Sequence, residues 1–254
     1  MPRPQHLALA DGRRLAYHKI PGRAPCVVFL GGFKSDMTGE KASHLADWAT
    51  ARGQAYVCFD YRGHGQSDGD FEAATISDWR DDALDIVDAV AEGPLILVGS
   101  SMGGWLMVLV ALARPQRIAG LVGIASAPDF TEELIWGRMD GAQRARLARD
   151  GQLAQPSDYS EEPYVITRQL IEEGRRHLLL DGEIPVTCPV RLIHGLDDRD
   201  VPWQVSLRLA ERLSAPDVEL TLIKGGAHRL SAPADLARLE SGLDRLVALV
   251  EQRL

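Results

Sequence analysis

Four short runs of this chain, residues 26–30, 55–59, 95–98 and 118–125, are apolar from end to end and show no polar alternation. A strand with one wet face alternates apolar and polar residues, whereas a strand covered on both faces does not. Between the runs lie helix-like segments, about 40–52, 77–92 and an apolar one that stops at Arg114-Pro115. Buried strands separated by helices imply right-handed crossovers and a mainly parallel sheet covered on both sides. Two further strands are expected at 190–194 and 219–223, and an amphipathic helix at about 234–252. Ahead of the first buried run, residues 6–10 and 14–19 flank Asp11-Gly12, which is a hairpin signal. The reading is an α/β protein with a mostly parallel eight-stranded sheet and helices on both faces.

The rhythm breaks between 129 and 186. That stretch shows no convincing strand, only helical pieces around 131–139, 142–150 and 165–178. Turn chemistry at Gln155-Pro156-Ser157-Asp158 and Glu162-Pro163 separates them. Roughly 60 residues are too many for a plain crossover. The expected organisation is therefore a core of 1–128 and 187–254 with a helical insertion, 129–186, placed over the sheet as a lid.

Gly99-Ser100-Ser101-Met102-Gly103 follows a buried strand and opens an apolar helix, the context in which G-x-S-x-G carries meaning. The sharp turn needs residues without bulk around the serine. It lifts the Ser101 hydroxyl above the sheet at the positive end of the helix. Ser100 is excluded as the elbow serine, because Val98 would then stand at the first glycine position. A serine hydroxyl needs a base and an orienting acid, in the chain order serine, acid, histidine for this topology. Two downstream segments leave strand ends with the right residues: His194-Gly195-Leu196-Asp197-Asp198-Arg199-Asp200-Val201-Pro202 and Lys224-Gly225-Gly226-Ala227-His228.

With these segments the chain resembles a serine hydrolase of the α/β-hydrolase superfamily over nearly its whole length. The family's H-G-x-x-D-x-x-V-P pattern puts the acid at Asp198, and its base falls on His228. Asp197 and Asp200 rival Asp198, with Asp200 better suited to capping the next helix. A narrower likeness is to the branch of mitochondrial acyl-glucuronide esterases and palmitoyl-protein thioesterases. It rests on Phe29-Leu30-Gly31-Gly32-Phe33 with Ser35-Asp36-Met37, on Gly103-Gly104-Trp105-Leu106-Met107, on Tyr159-Ser160-Glu161-Glu162 and on Val201-Pro202-Trp203. The resemblance implies ester or thioester cleavage through a Ser101–Asp198–His228 triad. It also implies an oxyanion hole made by the backbone N–H groups of Met102 and Phe33. Gly31 stands where many relatives carry His, in agreement with the narrower branch.

The remaining polar signals are weaker. His194 reads as a structural hydrogen-bonder. His64 lies in Asp60-Tyr61-Arg62-Gly63-His64-Gly65-Gln66-Ser67, which resembles the family's D-x-R-G-x-G-x-S loop; there glycines serve turns and charges anchor neighbouring loops. In the insertion, Trp136, Met139, Tyr159 and Tyr164 either line an acyl pocket or form the cap's own core. Arg138, Arg168, Arg175 and Arg176 either meet a carboxylate or make a solvated face. No cluster has metal-ligand spacing and no phosphate-binding glycine loop is present, so no cofactor or metal is expected.

With 28 Lys and Arg against 36 Asp and Glu the chain carries −8, with no basic patch, which disfavours nucleic acid. No run approaches a membrane span. Three widely spaced cysteines, Cys26, Cys58 and Cys188, point to no disulfide framework, and with no targeting segment evident a cytoplasmic protein is expected. The expected partner is a small ester, acyl glucuronide or acyl thioester, including an acylated protein. The same triad also serves carbon–carbon bond hydrolysis and perhydrolysis, and the fold can serve as a non-catalytic ligand binder.

Overall fold

The computed structural model describes residues 3–155 and 163–253. The core elements run β1 (Gln5–Ala8), β2 (Arg14–Ile20), β3 (Arg23–Leu30), α1 (Glu40–Arg52), β4 (Gln54–Phe59), α2 (Ile76–Ala89), β5 (Leu95–Ser100), α3 (Met102–Ala113) and β6 (Ile118–Ile124). An inserted stretch follows, made of a π-helical turn (Thr131–Trp136), α4 (Gly141–Asp150), β7 (Gln152–Gln155), β8 (Tyr164–Thr167), α5 (Arg168–Gly174) and a 3-10 turn (Arg175–His177). The core resumes with β9 (Val190–Gly195), α6 (Gln204–Arg212), β10 (Val218–Ile223) and α7 (Pro233–Glu251).

Among the described residues one sheet has eight strands in the order β1-β2-β4-β3-β5-β6-β9-β10. The β1–β2 hairpin and its junction with β4 are antiparallel; every other pairing is parallel. The uniformly apolar runs are explained by two cores, one on each face. Val28, Leu30, Leu95 and Leu97 point to the side of α2 and α3, where Trp79 and Trp105 are wholly buried. Their sequence neighbours Val27, Phe29, Ile96 and Val98 point to α1 and α7, against Leu45, Leu243 and Val247. Helix α3 is apolar on all sides because residues 102–111 are all buried.

The insertion departs from the helical reading. Residues 165–167, expected to open a helix, belong to β8 and pair antiparallel with β7, Leu153 opposite Ile166. Three β-branched residues in a row, Val165, Ile166 and Thr167, favour the extended form. The helix starts only afterwards, where the Thr167 hydroxyl caps it by accepting the Leu170 N–H at 3.1 Å. Leu153 and Ile166 join Met139, Leu147 and Ile171 in a small core belonging to the insertion. Pro156 to Glu162, which hold most of the expected turn chemistry and the whole Tyr159-Ser160-Glu161-Glu162 segment, lie outside the described residues. No helix among the described residues is long and apolar enough to cross a membrane.

Candidate active site

Ser101 sits between β5 and α3 with φ 54° and ψ −117°. A positive φ is costly for a residue with a Cβ, so the surroundings must enforce it. They do so through the backbone: Ser101 N–H donates to the Ile124 carbonyl at 2.9 Å, and the Ser101 carbonyl accepts from Gly104 at 2.9 Å and Ala127 at 3.0 Å. The flanking glycines are required by close approach. A Cβ on Gly99 would lie 2.3 Å from the Gly103 carbonyl oxygen, and one on Gly103 would lie 2.1 Å from that of Leu30.

Two loops at the same sheet edge meet the serine. The turn after β10 delivers His228, whose Nε2 lies 3.0 Å from Ser101 Oγ. Its Nδ1 lies 2.7 Å from Asp198 Oδ2, on the loop after β9. An ionised carboxylate only accepts, so Nδ1 carries the proton and Nε2 is left to accept the serine hydroxyl. The Asp198 side chain is fully buried. Oδ1 accepts the N–H groups of Asp200 and Val201, both at 2.9 Å, and Oδ2 takes a second imidazole, His194 Nε2, at 3.1 Å. Burial pushes this carboxyl upward, but the hydrogen bonds from His194, His228 and Val201 outweigh it and hold it well below the usual carboxylate range.

His194 behaves as the structural hydrogen-bonder its sequence suggested, but its partner was not foreseen. Both groups at its Nε2, Asp198 Oδ2 and the Val201 carbonyl at 3.0 Å, are acceptors. The Nε2–H tautomer follows, and Ser206 Oγ, 2.6 Å from Nδ1, donates there. Asp197 is exposed and meets the site only through its N–H, bonded to the Gly226 carbonyl. Asp200 is not a helix cap: α6 starts behind Trp203 with no side-chain cap, and Asp200 lines the cavity.

Met102 is the first residue of α3, so its N–H is one of the donors a helix start leaves without an intrahelical partner. Among the described residues the Phe33 N–H also lacks an acceptor. Its loop lies against Ser101, since a Cβ placed on Gly32 would stand 3.4 Å from Ser101 Cβ. The Phe33 ring is packed edge-on against Phe71, Trp79, Phe130 and Tyr164 at 4.8–5.8 Å.

These residues form the floor of a cavity of about 570 Å³ whose other side comes from the insertion, through Leu134, Ile135, Arg138, Gln155, Tyr164 and Ile166. Of the aromatic candidates there, Tyr164 lines the cavity. Trp136 lies instead beneath the guanidinium groups of Arg144 and Arg175, and Met139 belongs to the small core. Tyr159 lies outside the described residues. Of the four arginines only Arg138 reaches the cavity, donating to the Asp200 carbonyl at 3.0 Å. Arg175 pairs with Glu132, Arg168 lies near Glu172, and Arg176 is exposed.

One group among the described residues brings metal-binding atoms together: Asp198, Asp200 and His228, within 4.8 Å of one another. A cation held by all three would compete with the hydrogen bonds that Asp198 and His228 already make. The donor set therefore suits a proton relay better than a metal.

A family model described as serine aminopeptidase, S33, matches residues 23–170. The mitochondrial palmitoyl-protein thioesterase of Bos taurus is 44% identical over 193 residues, covering 76% of this chain and 63% of the relative. The Homo sapiens protein of the same description is 42% identical over 189 residues, covering 74% and 61%. This chain thus matches less than two thirds of the length of those relatives. Among solved structures, alpha/beta hydrolase domain-containing protein 10 from mouse superposes with a TM-score of 0.91 at 40% identity, covering 97% of this chain and 99% of that one. A protein from Agrobacterium vitis S4 described as a hydrolase superposes with a TM-score of 0.91 at 39% identity, covering 96% and 99%. The cytoplasmic placement read from the cysteines and from the lack of an evident targeting segment is overturned, because the thioesterases just described are mitochondrial. Free thiols such as the buried Cys26 and Cys58 and the half-buried Cys188 fit any compartment that keeps them reduced, and do not distinguish between them.

Proposed function

The chain belongs to the serine aminopeptidase S33 family and has the α/β-hydrolase fold; from that premise we propose that it cleaves carboxylic esters or thioesters through an acyl-enzyme on Ser101. The observation that carries this reading is the unbroken relay from Ser101 Oγ to His228 at 3.0 Å and on to Asp198 at 2.7 Å, opening into a cavity. His228 Nε2 takes the hydroxyl proton as Oγ attacks the acyl carbonyl. Asp198 keeps the imidazole in the reactive tautomer and stabilises the imidazolium that forms. The N–H groups of Phe33 and Met102 bind the oxyanion, one such donor contributing about 2.7–4 kcal/mol in the transition state. The C–O or C–S bond then breaks, and His228 returns the proton to the departing alcohol or thiol. A water enters, gives its proton to His228 and attacks the acyl-enzyme; the acid leaves as Ser101 recovers its hydrogen.

Residues 129–186 serve in this reading as the cap over a core of 1–128 and 187–254. Phe130, Leu134, Ile135 and Ile166 supply an apolar surface beside the serine, suited to an acyl chain. The name of the mitochondrial relatives, palmitoyl-protein thioesterase, supports long acyl thioesters as the class to try beside simple esters. The test is turnover of p-nitrophenyl esters from acetate to palmitate and of the matching acyl thioesters, with wild type beside Ser101→Ala. Turnover should fall by about four orders of magnitude or more in the variant, and labelling by a fluorophosphonate should vanish. Unchanged labelling would sink the assignment.

A further inference from the structure

The loop that carries Phe33 is held from outside by the 60–67 loop. The Asp60 carboxylate accepts the Met37 N–H at 2.7 Å, and the Tyr61 hydroxyl lies 3.4 Å from the Gly31 carbonyl. Between these two anchors the Lys34 N–H donates to His64 Nε2 at 3.2 Å. Lys34 itself sits at φ 55°, a backbone state that a side-chain-bearing residue keeps only when something enforces it.

His64 is built to accept there. Its Nδ1 lies 3.1 Å from the Arg62 carbonyl, which can only accept, so Nδ1 carries the proton and Nε2 presents a lone pair. The ring is buried, in edge contact with Tyr61, Phe71 and Trp79 at 5.0–5.5 Å. Phe71 and Trp79 also touch the Phe33 ring, so imidazole and oxyanion loop share one aromatic frame. Burial pushes the imidazole down to about 4, which keeps it neutral, and an acceptor, at physiological pH.

We propose that His64 is a positioning residue of the oxyanion hole: by accepting the Lys34 N–H it fixes the peptide that follows Phe33 and so aims the Phe33 N–H at the oxygen developing above Ser101. It touches no reacting atom. The inference rests on Phe33 being an oxyanion donor in the reaction proposed above.

The test compares two polar replacements in the whole chain. His64→Asn keeps a group near the Arg62 carbonyl and leaves nothing at the Nε2 position, whereas His64→Gln can set an amide oxygen there. His64→Asn should lower kcat by about tenfold or more, a fraction of the 10²–10³ lost with a whole oxyanion donor, with KM within about twofold. A trifluoromethyl ketone, which forms an oxyanion on the serine, should bind more weakly by the same factor. His64→Gln should recover most of both. The inference is overturned if His64→Asn leaves kcat unchanged, or if both variants lose equally and the loss falls on KM. Nitrogen NMR of the wild type keeps the question open to refutation should the variants not fold: a protonated Nε2 at neutral pH overturns the inference, and an unprotonated Nε2 beside a protonated Nδ1 is expected. Ser101→Ala separates the two levels. An inactive Ser101→Ala beside an unaffected His64→Asn removes only this inference, whereas an active Ser101→Ala removes the reaction beneath it.

Discussion

The cavity's floor is tied into the sheet by backbone hydrogen bonds, while its roof hangs mainly on side chains. Ser101 is bonded through its own N–H and carbonyl to residues 104, 124 and 127, and Asp198 receives two backbone N–H groups beside two imidazoles. The insertion has a small core of five buried residues, and it also enters the main core through Phe130, Leu170, Leu180, Ile184 and Val186, with Ile184 bonded through its backbone to Arg212 and Ser214. Glu173 and His177 meet Ser77 on α2, Trp105 Nε1 donates to the His177 carbonyl at 3.0 Å, and Arg208 pairs with Glu133. The Arg175–Glu132 and Arg208–Glu133 pairs are partly exposed, and such pairs contribute at most about 1 kcal/mol each. Floor and roof thus differ in kind: backbone hydrogen bonds set Ser101 and Asp198, whereas side-chain packing sets the surface that faces them.

That contrast makes Asp198 the most sensitive point tested. Asp198→Asn should cost about four orders of magnitude in kcat, as loss of the acid does in serine hydrolases, while Asp197→Asn stays within about twofold. Equal losses in steady-state kinetics would break the assignment. Next comes His194→Phe, which strips one donor from Asp198 Oδ2 and should lower kcat by roughly tenfold. It has a pH signature as well. A carboxyl depressed in the folded state contributes stability above its unfolded pKa and loses it as pH falls through its folded value. Without His194 the Asp198 carboxyl moves back toward its ordinary range, so in urea titrations the variant should lose less stability to acid than wild type, and the loss should level off at a higher pH.

On the roof the effects should be smaller and of another kind. Leu134→Ala should shift the ratio of long-chain to acetyl ester kcat/KM by about threefold to tenfold, and leave acetyl turnover nearly unchanged. A uniform fall for every chain length would place Leu134 with the floor. Where the insertion leaves the core stands Asp129, whose buried carboxylate accepts the N–H groups of Leu179 and Leu180 at 2.9–3.1 Å, joining the insertion's departure to its return. Burial pushes this carboxyl up to about 6, so the folded state binds its proton more readily than the unfolded chain does. Stability from this group therefore rises as pH falls from about 6 to 4, the opposite of Asp198. Relative to Asp129→Asn, wild type should gain about 2 kcal/mol between pH 7 and pH 4. A flat difference would show that Asp129 does not titrate in this range.

The serine elbow was legible because its signature is local: Gly99, Ser101 and Gly103 share one turn, and a Cβ on Gly99 would meet the Gly103 backbone four residues on, although the space at Gly103 is taken by the Leu30 carbonyl of the neighbouring strand. The buried strands were legible for a related reason, since Val27 and Val28 are both apolar only if both faces are covered. The helix expected over 165–178 begins only at Arg168, because a four-residue strand leaves too short a pattern to separate from the helix that follows it. The family pattern placed the acid at Asp198, with Asp197 and Asp200 as rivals in the same loop. Sequence by itself determined the layered α/β architecture and the residue types available to the site, because apolar periodicity and turn chemistry act between near neighbours. The tertiary structure alone decided that His228 reaches Ser101 across 127 positions, that His194 stands behind Asp198, and that Arg138 rather than its sister arginines meets the cavity. Those are distances between residues far apart in the chain, set by how the packed layers bring loop ends together, and no local pattern encodes them.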